Sequence, residues 1–126
     1  MKRVILILFL VSIFTYNASA QEIIKAKYAR QYVGKIVTVT GKIKYIAGPG
    51  YLSSMSFQLV TDNSEVGVSI TVPMKVWSKS KVLNEKQTGK IMKAHGLIEQ
   101  IIAKDKSQNS LPYIVIKRVS DIQILE

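Results

Sequence analysis

Gly34-Lys35-Ile36-Val37-Thr38-Val39-Thr40-Gly41-Lys42-Ile43-Lys44-Tyr45-Ile46 is the stretch that decides the fold, and its skeleton recurs as Gly89-Lys90-Ile91 followed by Gly96, Ile98 and Ile101. In both copies a second glycine interrupts a run of aliphatic residues at the same distance from the first. A residue without Cβ tolerates the twist and the close packing that a curving sheet imposes, so each copy reads as a strand bent at Gly41 or Gly96. Around Gly41 the residues Val37, Val39, Ile43 and Tyr45 alternate with Thr38, Thr40, Lys42 and Lys44. That is the period of a half-buried strand, with Tyr45 on its inner face. The copies lie too far apart for a two-copy solenoid, which would in any case need at least about three repeats. Two related strands of one sheet are the simpler reading.

Working outward, Ala47-Gly48-Pro49-Gly50 ends the first strand, and Met55 to Thr61 supplies a second with Phe57 and Leu59 turned inward. Asp62-Asn63-Ser64 reads as a tight turn into a third strand, Glu65 to Val72, so that strands two and three form a hairpin. Pro73 suits the first turn of a helix, and Met74 to Lys86 lacks strand alternation while carrying Val76, Trp77, Val82 and Leu83. Gly89 to Ala103 is the fourth strand, Lys104 to Ser110 a polar loop, and Pro112 to Lys117 the fifth strand, with Ile122 and Ile124 in its tail. Upstream, Ile24, Tyr28 and Tyr32 recur four apart and Gly34 follows, which predicts a short amphipathic helix from Ile23 to Val33.

The ends and the composition narrow the setting. Lys2 and Arg3, an apolar run from Val4 to Phe14 and the small residues Ala18-Ser19-Ala20 have the order of a secretory signal peptide over residues 1–20. The apolar run is about half the length that spans a bilayer, so no stable transmembrane segment is expected after cleavage. Residues 21–126 are then enough for one domain with one core. With no cysteine the exported domain relies on that core alone, which suits a bacterial periplasmic or secreted protein. Lys and Arg number 18 against 8 Asp and Glu, a formal charge of +10. Such a charge attracts nucleic acid, anionic headgroups or acidic polysaccharide without choosing among them.

Strand, strand, strand, helix, strand, strand is the order of an oligonucleotide- and oligosaccharide-binding (OB) fold, an all-β, five-stranded Greek-key barrel with a short N-terminal helix added here. The chain also resembles known proteins. Tyr32 to Ile43 looks like the opening of small exported bacterial OB-fold proteins of the nucleic-acid-binding, tRNA-anticodon-domain-like kind. Gly89-Lys90-Ile91, Gly96-Leu97-Ile98, Leu111 to Ile116 and Asp121 to Ile124 look like their closing half. The resemblance rests on glycines and aliphatics and implies the fold more than the function.

An enzyme would need a nucleophile, a base or a metal site, and none is legible. His95, the one histidine, has no ligand partner at a useful spacing, the carboxylates are scattered, and Gly48-Pro49-Gly50 lacks the lysine and hydroxyl of a phosphate-binding loop. No cofactor or metal is expected. A binding module fits better. In an OB fold, ligands lie between the loops that join strands one to two and four to five. These loops carry Tyr51 for stacking and Lys104 and Lys106 for charge, with Lys42 and Lys44 on the polar face of the first strand. Trp77 is expected to plug one barrel end. The expected ligand is single-stranded nucleic acid or another anionic oligomer such as an acidic oligosaccharide. The alternative is a periplasmic oligosaccharide- or protein-binding or structural envelope protein without catalysis. The leader reading predicts cleavage after Ala20, so the intact mass of protein recovered from the envelope should begin at Gln21, and a mass that includes Met1 would overturn it.

Overall fold

A computed structural model describes residues 22–48, 53–61, 64–80, 83–105 and 110–125. These form a single mixed sheet of seven strands: β1 (Ile23–Lys25), β2 (Ile36–Ala47), β3 (Ser54–Val60), β4 (Val66–Pro73), β5 (Ile91–Leu97), β6 (Tyr113–Val115) and β7 (Ile122–Leu125). Their order is β6-β4-β3-β2-β5-β7, with β1 pairing β2 off this path. The pairs β1–β2 and β4–β6 are parallel and the others antiparallel. A separate antiparallel bridge joins Glu99, just past β5, to Tyr113 of β6. The all-β class is as expected, but there are seven strands rather than five. Ile23–Lys25 is extended along β2, and Ile122–Leu125 is a strand in its own right along β5. Among the described residues no helix is long and apolar enough to cross a membrane.

The doubled motif is the β2–β5 pair. One register runs from Ile36↔Leu97 to Lys42↔Ile91. The backbone extends it identically at both ends. The Gly34 and Ile98 N–H groups donate to the Ile98 and Lys35 carbonyls at 2.7 and 3.0 Å, while those of Gly89 and Ile43 donate to the Ile43 and Lys90 carbonyls at 2.8 and 2.9 Å. Each Gly-Lys opening therefore holds the isoleucine that closes the other copy, and a local pseudo-two-fold passes through the Val39↔Ala94 pair. Burial obeys it. Val37 and Met92, Val39 and Ala94, and Ile43 and Ile98 are buried, whereas Ile36 and Ile91 are exposed. Gly34 and Gly89 turn into their strands at φ of +89° and +92°, which a side chain would strain.

Gly41 and Gly96 serve a different need, since neither lies in the left-handed region. A Cβ on Gly41 would sit 3.1 Å from the Cβ atoms of Ala26 and Leu59, and one on Gly96 would sit 2.7 Å from Cγ2 of the buried Ile114. The irregularity of β2 falls beyond Gly41, as a register shift against β3 between Ile43 and Tyr45. This corrects the reading of Tyr45 as a core residue. The extra residue reverses the alternation, so Tyr45 turns outward at 55% exposure and Ile46 packs on the core instead.

Two helical expectations also change. The segment before β2 is a 3₁₀ helix, Ala26–Tyr32, rather than an amphipathic α-helix starting at Ile23. Its inward period is three: Ala26 and Ala29 are buried, Tyr32 packs partly on the core, and Tyr28 is exposed. Small residues let this segment lie directly on β4, where a Cβ on Gly67 would come within 2.6 Å of the Ala26 carbonyl oxygen. After Pro73 the α-helix is one turn, α1 (Met74–Trp77), and a 3₁₀ turn at Glu85–Gln87 precedes Gly89. Trp77 packs partly buried against a core led by Phe57, Ile43, Met55, Leu59 and Ile70. The fourth predicted strand stops at Leu97, well short of Ala103.

These close approaches predict that Gly67→Ala lowers stability by about 1–3 kcal/mol and Gly41→Val by about 1 kcal/mol or more, because both overpack a junction of small residues. Denaturant midpoints equal to the parent's would refute the junction.

A candidate basic cleft at the β2 crossover

Lys42 sits where β2 changes partners, pairing at once with Val60 of β3 and Ile91 of β5. Strands that diverge from a shared residue leave a gap between them, and here it holds two adjoining hollows that together make the cleft. The first, about 400 Å³, is lined by Lys25 and Lys27 from the end of β1 and the 3₁₀ segment, Thr40 to Lys42 from β2, and Val60, Thr61 and Ser64 from the β3–β4 turn. The second, about 330 Å³, adds Ile43, Lys44, Thr88 and Gly89 and shares Lys42, Val60 and Ser64 with the first.

The lining has one sign of charge. Four lysines contribute to it, and no carboxylate does among the described residues. The Lys44 ammonium donates to the Ser64 carbonyl at 3.0 Å and lies 5.3 Å from the centre of the exposed Tyr45 ring. Ser64 is held in a left-handed conformation at φ +63°, in a turn closed by Thr61 N–H to the Glu65 carbonyl and Ser64 N–H to the Thr61 carbonyl. The turn thus presents a fixed carbonyl that orients Lys44. Gly41 contributes by absence, because a side chain there would press on Ala26 and Leu59 beside the cleft.

Of the five residues expected to bind, Lys42 and Lys44 are brought together here. Lys104 is exposed on the connection between β5 and β6 and takes no part in this lining. Tyr51 and Lys106 lie outside the described residues. Sequence reasoning misses Lys25 and Lys27, because a four-residue helical period spans them. The signal is nevertheless present: Ile24-Lys25-Ala26-Lys27 alternates apolar and basic, and Ile24 and Ala26 are buried while both lysines are exposed. Tyr45 is missed for the reason already given, the register shift.

His95 is half-buried on the outer face of β5, paired across the ladder with Thr38, and its Nδ1 lies 3.0 Å from the Thr38 hydroxyl. Among the described residues no three His, Cys, Asp or Glu side chains gather as a metal site would require. What the cleft offers chemically is cations and hydroxyls on a rigid frame, an arrangement for holding an anion. In comparison with known proteins, no family model matches the chain and no curated sequence matches it significantly.

Proposed function

We propose that the protein is an exported binding module, without catalysis of its own, whose basic cleft holds an anionic oligomer. Single-stranded nucleic acid is the favoured class and acidic oligosaccharide the competing one. We further propose that the sheet is a five-stranded OB-type barrel of β2 to β6, to which β1 and β7 are added. Three features support the barrel reading. The strands β2, β3, β4 and β6 are successive neighbours, β4 and β6 run parallel, and the Glu99–Tyr113 bridge links the stretch after β5 back to β6.

The observation that carries the functional reading is the convergence of Lys25, Lys27, Lys42 and Lys44 on one cleft with no carboxylate in its described lining. Cations along a groove release counterions from a phosphate chain, which supplies most of a non-specific affinity and makes it fall with salt. The hydroxyls of Thr40 and Ser64 add donors for phosphate or sugar oxygens. Tyr45, exposed beside Lys44, offers a ring on which a base can stack. The preference for a single strand rests on that ring, since stacking needs an unpaired base.

Binding to a single-stranded oligonucleotide of about 12 nucleotides, followed across a salt series, tests this reading. The double variant Lys25→Gln/Lys42→Gln should bind more weakly and flatten the log–log salt slope by about 0.7 for each phosphate that is no longer neutralised. Tyr45→Ala should cost about 1–3 kcal/mol of binding without moving the denaturation midpoint. Parent-like affinity in the double variant rejects the cleft. Weaker binding there with no effect of Tyr45→Ala keeps the cleft as the anion site but rejects the stacking contact and, with it, the preference for a single strand.

A further inference from the structure

Among the described residues Tyr28 and Tyr45 are the only exposed aromatic side chains, at 42% and 55%, and each stands beside a lysine of the basic cleft. The Lys27 ammonium lies 5.1 Å from the centre of the Tyr28 ring, and the Lys44 ammonium 5.3 Å from that of Tyr45. Lys27 lines only the first hollow, Lys44 only the second, and Lys42 lines both, so the two rings adjoin opposite ends of the cleft. We propose that Tyr28 is a second stacking residue, and that the cleft clasps a stretch of nucleic-acid backbone between two stacked bases. This rests on the cleft reading above and names the contact that would make its ligand a nucleic acid.

Tyr28 reaches the cleft because the segment that carries it is a 3₁₀ helix, in which side chains three apart eclipse one another. Ala26, Ala29 and Tyr32 form the row that packs inward. Tyr28 therefore follows Lys25, itself part of the lining of the first hollow, on a separate row. An α-helix would have set Tyr28 in line with Ile24 and Tyr32, on the packed side. The tighter winding thus turns the ring toward water and toward the lysines.

Charge and stacking then act on the same nucleotide. A phosphate paired with the Lys27 or Lys44 ammonium brings its own base within reach of the adjacent ring, while Lys42, between them, faces the intervening backbone. Cations along a groove with aromatic rings beside it are the combination that holds a single strand without reading its sequence. A ring at each end also limits how far the strand can slide, which one ring and a row of lysines would not.

The test compares a labelled single-stranded oligonucleotide of about 12 nucleotides with an abasic chain of the same length and charge, bound to the processed protein. Tyr28→Ala should weaken binding of the oligonucleotide about tenfold or more and leave the abasic chain unaffected, while Tyr28→Phe should keep parental affinity for both, because the ring and not the hydroxyl stacks. Tyr28→Ala/Tyr45→Ala should reduce the oligonucleotide to the affinity of the abasic chain. If Tyr28→Ala lowers the denaturation midpoint, Tyr28→Leu, which keeps bulk without a ring, takes its place with the same expected loss. Parental binding by that variant while Tyr45→Ala weakens it overturns the clasp and leaves the cleft reading standing. Parental binding by Lys25→Gln/Lys42→Gln rejects the cleft itself and the clasp with it. An equal loss of polygalacturonate binding in Tyr28→Ala would give the ring to a sugar face and overturn the proposal too.

Discussion

Everything else in this molecule hangs on the antiparallel ladder between β2 and β5. It joins segments far apart in the chain, so it is entropically expensive to form, and it is secured by a repeated device rather than by one long run of side chains. Each copy of the Gly-Lys-Ile motif uses a left-handed glycine to enter its strand and then exchanges two backbone hydrogen bonds with the isoleucine of the other copy. Because side chains alternate with period two, a slip of β5 by one residue against β2 would turn Met92 and Ala94 outward while Val37 and Val39 stayed on the core. Both ends of the ladder therefore hold the register that the core also demands.

Small residues then decide what can lie on that ladder. Ala26, Gly41 and Gly67 meet where the N-terminal segment crosses β2 and β4, with separations that leave no room for a Cβ at Gly67 and only a crowded one at Gly41. The crossing brings Lys25 and Lys27 to the side of β2 that already bears Lys42, so a packing constraint and a charge cluster share one cause. Like charges gathered in this way repel one another, and they are tolerated where water or a counter-charge can reach them. An open cleft meets that condition.

The two ends of the ladder show how one strand pair can carry unlike surfaces. Motif positions that face the core are constrained to be apolar in both copies, but those that face outward are not, and the copies have diverged there. Lys42 in the first copy corresponds to Leu97 in the second. One end of the ladder is accordingly cationic and the other aliphatic, without any change in the backbone between them.

The sequence by itself determined the all-β class, the strands around Gly41 and Gly96, and the β3–β4 hairpin, because period-two alternation and turn residues are local properties that a chain carries wherever it folds. It also determined that Lys42 and Lys44 leave the polar side of the first strand. Tertiary structure decided the rest. Whether Ile24 begins a helix or a strand depended on β2 being there to pair with it, and the two isoleucines of β7 became a strand through β5. Tyr45 faces out because of a register shift against β3 that no local pattern encodes, and Lys25 and Lys27 join Lys42 only through the small-residue crossing. Local periodicity says which side of an element is wet. Which wet sides meet to make a site is set by packing between segments distant in the chain.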